Sequence, residues 1–139
     1  MLVRLMYCSR AAQGVDEAEL SQILSQSRAN NAHSGVTGML SFSEGLFIQV
    51  LEGGRTEVSA LYNRISNDAR HTDVQILAFE EIDQRRFAGW TMGQVNMARI
   101  NTALLLKYSA RPTLDPYAVS GKVTMALFQE LLATASVVN

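Results

Sequence analysis

Val36-Thr37-Gly38-Met39-Leu40-Ser41-Phe42, then Ser43-Glu44-Gly45, then Leu46-Phe47-Ile48-Gln49-Val50-Leu51-Glu52 is the stretch that decides the fold. Two apolar runs of strand length, joined by a three-residue loop carrying a glycine, read as a β-hairpin. Working backwards, Leu20, Ile23, Leu24, Ser27 and Asn31 fall on one helical stripe. Asp16 reads as the N-cap of that helix, with Glu19 as its capping-box partner, and the helix should end near Ala32 with Gly35 as punctuation. Leu2 to Ser9 is apolar on both phases and reads as a central strand buried on most of both faces.

Working forwards, Thr56 reads as the cap of a second helix with Val58, Leu61, Tyr62 and Ile65 on one face. Asp68 to Asp73 is a polar break, Val74 to Ile82 a fourth strand and Phe87 to Val95 a fifth. The order is βαββαββ. Two crossover helices around a hairpin predict an α+β, ferredoxin-like fold: a mixed five-stranded sheet with two helices on one face.

Past Ala98 the character changes. Asn101 to Tyr108 reads as a short helix, and Asp115-Pro116 as the cap and first turn of a longer one. Val119, Val123, Leu127 and Leu131 form one stripe, flanked by Met125, Phe128 and Leu132. This C-terminal helical extension is expected to pack on the other face of the sheet. The division predicted is residues 1–97 for the core domain and 98–139 for the extension, which is not an independent domain. A helix that pairs only with another chain is the competing reading.

Hydrophobic residues are 47% of the 139 and charged residues 18%, which is the composition of a folded globular chain. The formal charge of −1 leaves no cationic surplus for phosphate backbones, so nucleic acid is not an expected partner. No apolar run is long enough to cross a bilayer, and with so few residues before Cys8 no signal peptide is expected. One cysteine allows no internal disulfide, so a cytoplasmic location is expected.

Three polar residues sit where a core should be. Gln49 shares a strand face with Phe47 and Leu51, Asn31 extends an apolar helical stripe, and Tyr7 lies in phase with Val3 and Leu5. Each alone reads as an ordinary buried polar group with a local partner. In the proposed fold, however, all three border one crevice. A phenol and two carboxamides in an apolar pocket suit a flat, uncharged ligand edge that carries carbonyls and a ring N–H. Arg64 and Asp68, one helical turn apart, read either as a surface ion pair or as a polar rim to that pocket, followed by Asp68-Ala69-Arg70-His71. His33 has no assigned role, and Cys8 points to the other face of the sheet. Trp90 and Met92 are expected on one face of the fifth strand, and spacing leaves open which of them faces inward.

No nucleotide-binding glycine motif, Cys/His metal cluster or nucleophile–base set is present in the sequence; Gly35, Gly38, Gly53 and Gly54 read as turn glycines. The chain is therefore not expected to be an enzyme.

The segments Leu5-Met6-Tyr7-Cys8-Ser9, Ser27-Arg28-Ala29-Asn30-Asn31, Gly35 to Leu40, Phe47 to Gly53, Asp68 to His71 and Phe87-Ala88-Gly89-Trp90-Thr91-Met92 occur in an order and spacing that resembles the BLUF family, blue-light sensors that use FAD. The resemblance runs from about Leu2 to Val95. It implies non-covalent FAD between the two core helices, with Tyr7 as photochemical electron and proton donor and Gln49 bridging Tyr7 and the flavin. It further implies Asn31 and Asn30 at the ring edge, and Ser27, Arg64, Asp68 and His71 around the ribityl and phosphate part. Trp90 or Met92 would sense a rearrangement at Gln49 and pass it to the C-terminal helices. A homo-oligomer and a separate effector protein are the partners expected. The alternatives are a flavin-free ferredoxin-like regulatory module, or a small enzyme such as a flavin reductase or acyl-phosphate hydrolase.

Overall fold

A computed structural model describes residues 1–96, 100–133 and 137–138. The elements are β1 (Leu2–Ala11), α1 (Glu17–Ser34), β2 (Thr37–Ser43), β3 (Leu46–Gly54), α2 (Arg55–Ser66), β4 (His71–Ile82), β5 (Gly93–Val95), α3 (Thr102–Tyr108), α4 (Gly121–Ala133) and β6 (Val137–Val138). One sheet runs in the order β4-β1-β3-β2-β5-β6. The β1–β3, β1–β4 and β2–β3 pairs are antiparallel, and β2–β5 is parallel. This is the mixed, ferredoxin-like arrangement expected, with the two-residue β6 added beyond β5.

The apolar run of β1 is explained by its central position, with apolar side chains on both faces. Val3, Leu5 and Tyr7 join Leu20, Ile23, Leu24, Phe47, Leu51 and Val58 in a core under α1 and α2. Met6 and Cys8 join Ile48, Val50, Leu127, Phe128 and Leu131 in a second core under the tail. Burial of a large aliphatic or aromatic side chain is worth about 1.5–3 kcal/mol. The tail is thus structural cladding for the second sheet face. The expected boundary at residues 97 and 98 lies outside the described residues.

Local chemistry explains the element ends. Asp16 Oδ1 accepts from the Glu19 amide at 2.9 Å, and Gly35 closes α1 in the left-handed region at φ 72°. The helix runs to Ser34, slightly beyond the expected Ala32. The hairpin loop is shorter than predicted: Ser43 pairs with Leu46, leaving a two-residue turn. Glu44 and Gly45 both have positive φ, which matches the twist of the flanking strands.

Three expectations are corrected. Thr56 does not cap α2. The helix starts directly from Gly54 without a side-chain cap, because β3 passes into it with no loop. The fifth strand is only Gly93–Val95, not Phe87–Val95. The amides of Arg86 and Phe87 bond to the Glu52 carboxylate and the Trp90 amide to the Phe87 carbonyl, so these groups are taken from any ladder. The long tail helix does not begin at Asp115-Pro116. Asp115 caps a single turn through Tyr117 and Ala118, and α4 starts at Gly121 with Ser120 Oγ accepting from the Val123 amide at 3.1 Å.

Candidate functional site

Tyr7 on β1 and Gln49 on β3 are direct cross-strand partners. Side chains of such pairs stand close enough to interact. The Tyr7 hydroxyl donates to Gln49 Oε1 at 2.5 Å, and Gln49 Nε2 donates to the Met92 sulfur at 3.2 Å. The amide is therefore held at both ends, and all three residues are buried. Burial holds the Tyr7 phenol well above its ordinary pKa, so it stands as a neutral O–H donor.

Met92 and Trp90 do not share a strand face, which corrects the expectation. They precede β5, in an irregular segment where strand alternation does not apply. Met92 packs in the helix-side core beside Tyr7, whereas Trp90 packs against the tail-side core. The segment is fixed from several sides. The Gly38 amide donates to the Trp90 carbonyl at 2.9 Å, Asn31 Nδ2 to the Thr91 carbonyl at 3.3 Å, and Arg28 Nε to the Met92 carbonyl at 3.3 Å.

A cleft of about 200 Å³ opens between α1 and α2 above this triad. Tyr7, Ser27, Asn30, Asn31, Gln49, Arg64, Asp68 and His71 all line it, so the structure brings together every cofactor-binding candidate read from the sequence. Trp90 and Met92 are not in its wall. Ile23, Leu61 and Ile65 supply apolar walls, and Leu40 and Phe47 line it as well. Asn31 is buried, and its Oδ1 has no hydrogen-bond partner among the described residues. A buried, unpaired acceptor costs about 1–3 kcal/mol, so it calls for a donor from water or a bound molecule.

At the mouth, Arg70 Nη2 binds Asp68 Oδ2 at 2.6 Å, and its hydrogen bonds hold the Asp68 carboxyl below the usual range. Arg70 also reaches Gln26 Oε1 at 3.3 Å, while Arg64 adds a second cation. His71 Nδ1 lies 2.7 Å from Ser9 Oγ, and burial pushes the imidazole pKa down. Gln26, Arg70 and Ser9 were not singled out from the sequence as site residues. Ser9 lies in phase with Tyr7, two residues on, and that signal could have found it.

The donor set fits a flavin. An apolar slot suits a flat ring, an amide oxygen without a partner among the described residues suits a ring N–H, and the arginines of the lining, Arg64 and the Asp68-paired Arg70, suit a phosphate. Among the described residues, no group of three His, Cys, Asp or Glu could hold a metal ion, and no helix is long and apolar enough to cross a membrane.

Comparisons agree with this chemistry. Residues 2–93 match the family described as BLUF, sensors of blue-light using FAD. The chain is 37% identical over 92 residues to the photoactivated adenylate cyclase subunit beta of Euglena longa, covering 66% of this chain and 11% of that protein. It thus spans about a tenth of the length of that curated relative. Among solved structures, BlsA in its photo-activated state is similar at a TM-score of 0.83 with 29% identity, covering 95% of each chain. The dark-state structure of BlrB, a BLUF protein, is similar at a TM-score of 0.77 with 30% identity, covering 96% of each chain. A bacterial light-regulated adenylyl cyclase matches at 0.71 with 32% identity, over 79% of this chain and 32% of that one. A cleft of this chemistry, on this fold, in a chain matched to that family from the first strand to the fifth, makes the chain a member of the BLUF family of blue-light sensors.

Proposed function

We propose that this chain is a blue-light receptor that holds FAD non-covalently in the α1–α2 cleft and signals through Gln49. The single observation that carries the reading is the chain of contacts from Tyr7 through Gln49 to Met92, set beside the open acceptor of Asn31. When bound, FAD supplies the absorption of blue light and, once excited, a strong oxidising power. Asn31 and Asn30 hold the ring edge, while Ser27, Arg64, Asp68 and His71 hold the ribityl and phosphate part. The apolar walls exclude water from the phenol.

Tyr7 is the group in the chain that gives up an electron. A phenol that has lost an electron is a strong acid, and its proton has a path along the hydrogen bond to Gln49 Oε1. A carboxamide that takes a proton on oxygen can give one up from nitrogen, for which, as for the electron from Tyr7, bound FAD would supply the acceptor; the tautomer left on Gln49, or a rotated amide, has its donor and acceptor ends exchanged. Once the electron and proton return to Tyr7, the rearranged amide is the lasting product. Such buried networks favour discrete, fully satisfied arrangements. Met92 reads the exchange: its sulfur accepts from Gln49 Nε2 as the amide stands, loses an N–H donor on tautomerisation, and faces an oxygen on rotation. From there the change passes along β5 to the C-terminal helices, and through them to a homo-oligomer or a separate effector protein.

The test uses Tyr7→Phe and Gln49→Leu in the FAD-loaded chain. Both variants should retain FAD and lose the light-induced red shift of its absorption. A normal light response in either variant removes that residue from the mechanism.

A further inference from the structure

The sheet contains a buried ion pair that the light chemistry does not use. Arg4 on β1 and Glu52 on β3 are cross-strand partners, with Arg4 Nε 2.7 Å from Glu52 Oε2. Both side chains are almost completely buried, and Arg4 also reaches Glu80 on β4 at 2.6 Å. Replacing a buried ion pair by apolar residues of similar size is often neutral or stabilising, so stability alone does not account for it. The remaining bonds of Glu52 point to another task. It accepts from the Phe87 amide at 2.7 Å and from the Arg86 amide at 3.0 and 3.1 Å.

Those amides open the segment that ends at Met92. Glu52 grips its start, and Gly38, Asn31 and Arg28 grip its end. By strand alternation Glu52 lies on the face of β3 opposite Gln49, so it cannot touch the light-sensitive amide itself. We propose that Glu52, neutralised by Arg4, is a positioning residue that holds Met92 against Gln49 and thereby sets the lifetime of the lit state. The proposal rests on the light-sensing reading above. Rotation of Gln49 turns its oxygen toward the Met92 sulfur, two acceptors face to face. A firmly held sulfur penalises the rotated amide and speeds its return, and a slack segment lets that amide persist.

The experiment follows dark recovery of FAD absorption after a light pulse in the full, FAD-loaded chain. Glu52→Gln removes the charge that grips the two amides. It should keep FAD and the red shift, and should slow recovery about tenfold, the equivalent of about 1.4 kcal/mol in the barrier. In a Met92→Leu background the same substitution should have no further effect, because its action passes through the sulfur. A role in folding alone would act equally in both backgrounds and overturns the proposal, as does recovery at the parent rate or faster. If Glu52→Gln does not take up FAD, Glu52→Asp, which draws the carboxylate back by one methylene, decides by the same measurement. Failure of both to take up FAD also overturns the proposal. A parent chain that holds FAD without responding to light overturns the light-sensing reading itself, a result distinct from a responsive parent whose Glu52 variants are unaltered.

Discussion

The carbonyl oxygen of Leu77 lies 1.9 Å from where a Cβ on Gly121 would stand. Leu77 is the extra residue of a bulge in β4: Met6 pairs with Ala78 and Tyr7 with Ile76, leaving Leu77 unpaired between them. The first residue of α4 therefore seats directly on a backbone irregularity beside Tyr7. This close approach explains why the first residue of α4 is a glycine.

Gly121→Ala should destabilise the protein. Alanine favours a helix over glycine by up to about 1 kcal/mol. Overpacking against a backbone carbonyl, which cannot swing aside, costs about 1–3 kcal/mol. The expected outcome is a thermal midpoint lower by several degrees. A midpoint that is unchanged or raised would mean that α4 does not seat on the bulge.

Asn31→Ala should separate stability from cofactor binding. It removes a buried acceptor that has no partner among the described residues, at the loss of one 3.3 Å bond to the Thr91 carbonyl. The stability of the flavin-free protein should change by less than about 1 kcal/mol. FAD affinity, read by titration of flavin fluorescence, should fall about tenfold or more, because the ring loses its acceptor. Unaltered affinity would remove Asn31 from the ring edge.

Much of the site was legible because its residues break the pattern of their own elements. Tyr7, Asn31 and Gln49 each occupy an apolar phase, and phase alone places them on one face of β1, α1 and β3. The segment from Arg86 to Met92 was not legible, because its apolar and aromatic residues mimic a strand. Its backbone is claimed by Glu52 and Gly38, partners distant in sequence that periodicity does not reveal. Arg4 was hidden for a related reason. A lone cation in an apolar run gives no sign of its partners until the strand register brings Glu52 and Glu80 beside it.

Acid should weaken the fold through His71 first and Asp68 later. Burial lowers the His71 pKa from its ordinary 6.5, so below about that pH the unfolded chain binds a proton that the folded chain resists. Stability therefore declines as pH falls from 7 toward 5. The Asp68 pKa is lowered by hydrogen bonds from Arg70, so its contribution is present above about 3.8 and is lost as pH falls through the lowered value. Partial exposure of that pair keeps its contribution small. His71→Gln should flatten the profile of thermal midpoint against pH between 7 and 5; an unaltered slope would assign that decline to other groups.

The light-minus-dark absorption spectrum of the purified, FAD-loaded chain is the most direct test of the whole account. With Tyr7, Gln49 and Asn31 around one flavin, illumination should move the FAD bands to longer wavelength and darkness should return them, with the flavin chemically unaltered. A chain that takes up no FAD, or one whose bands bleach or stay in place under blue light, would contradict it.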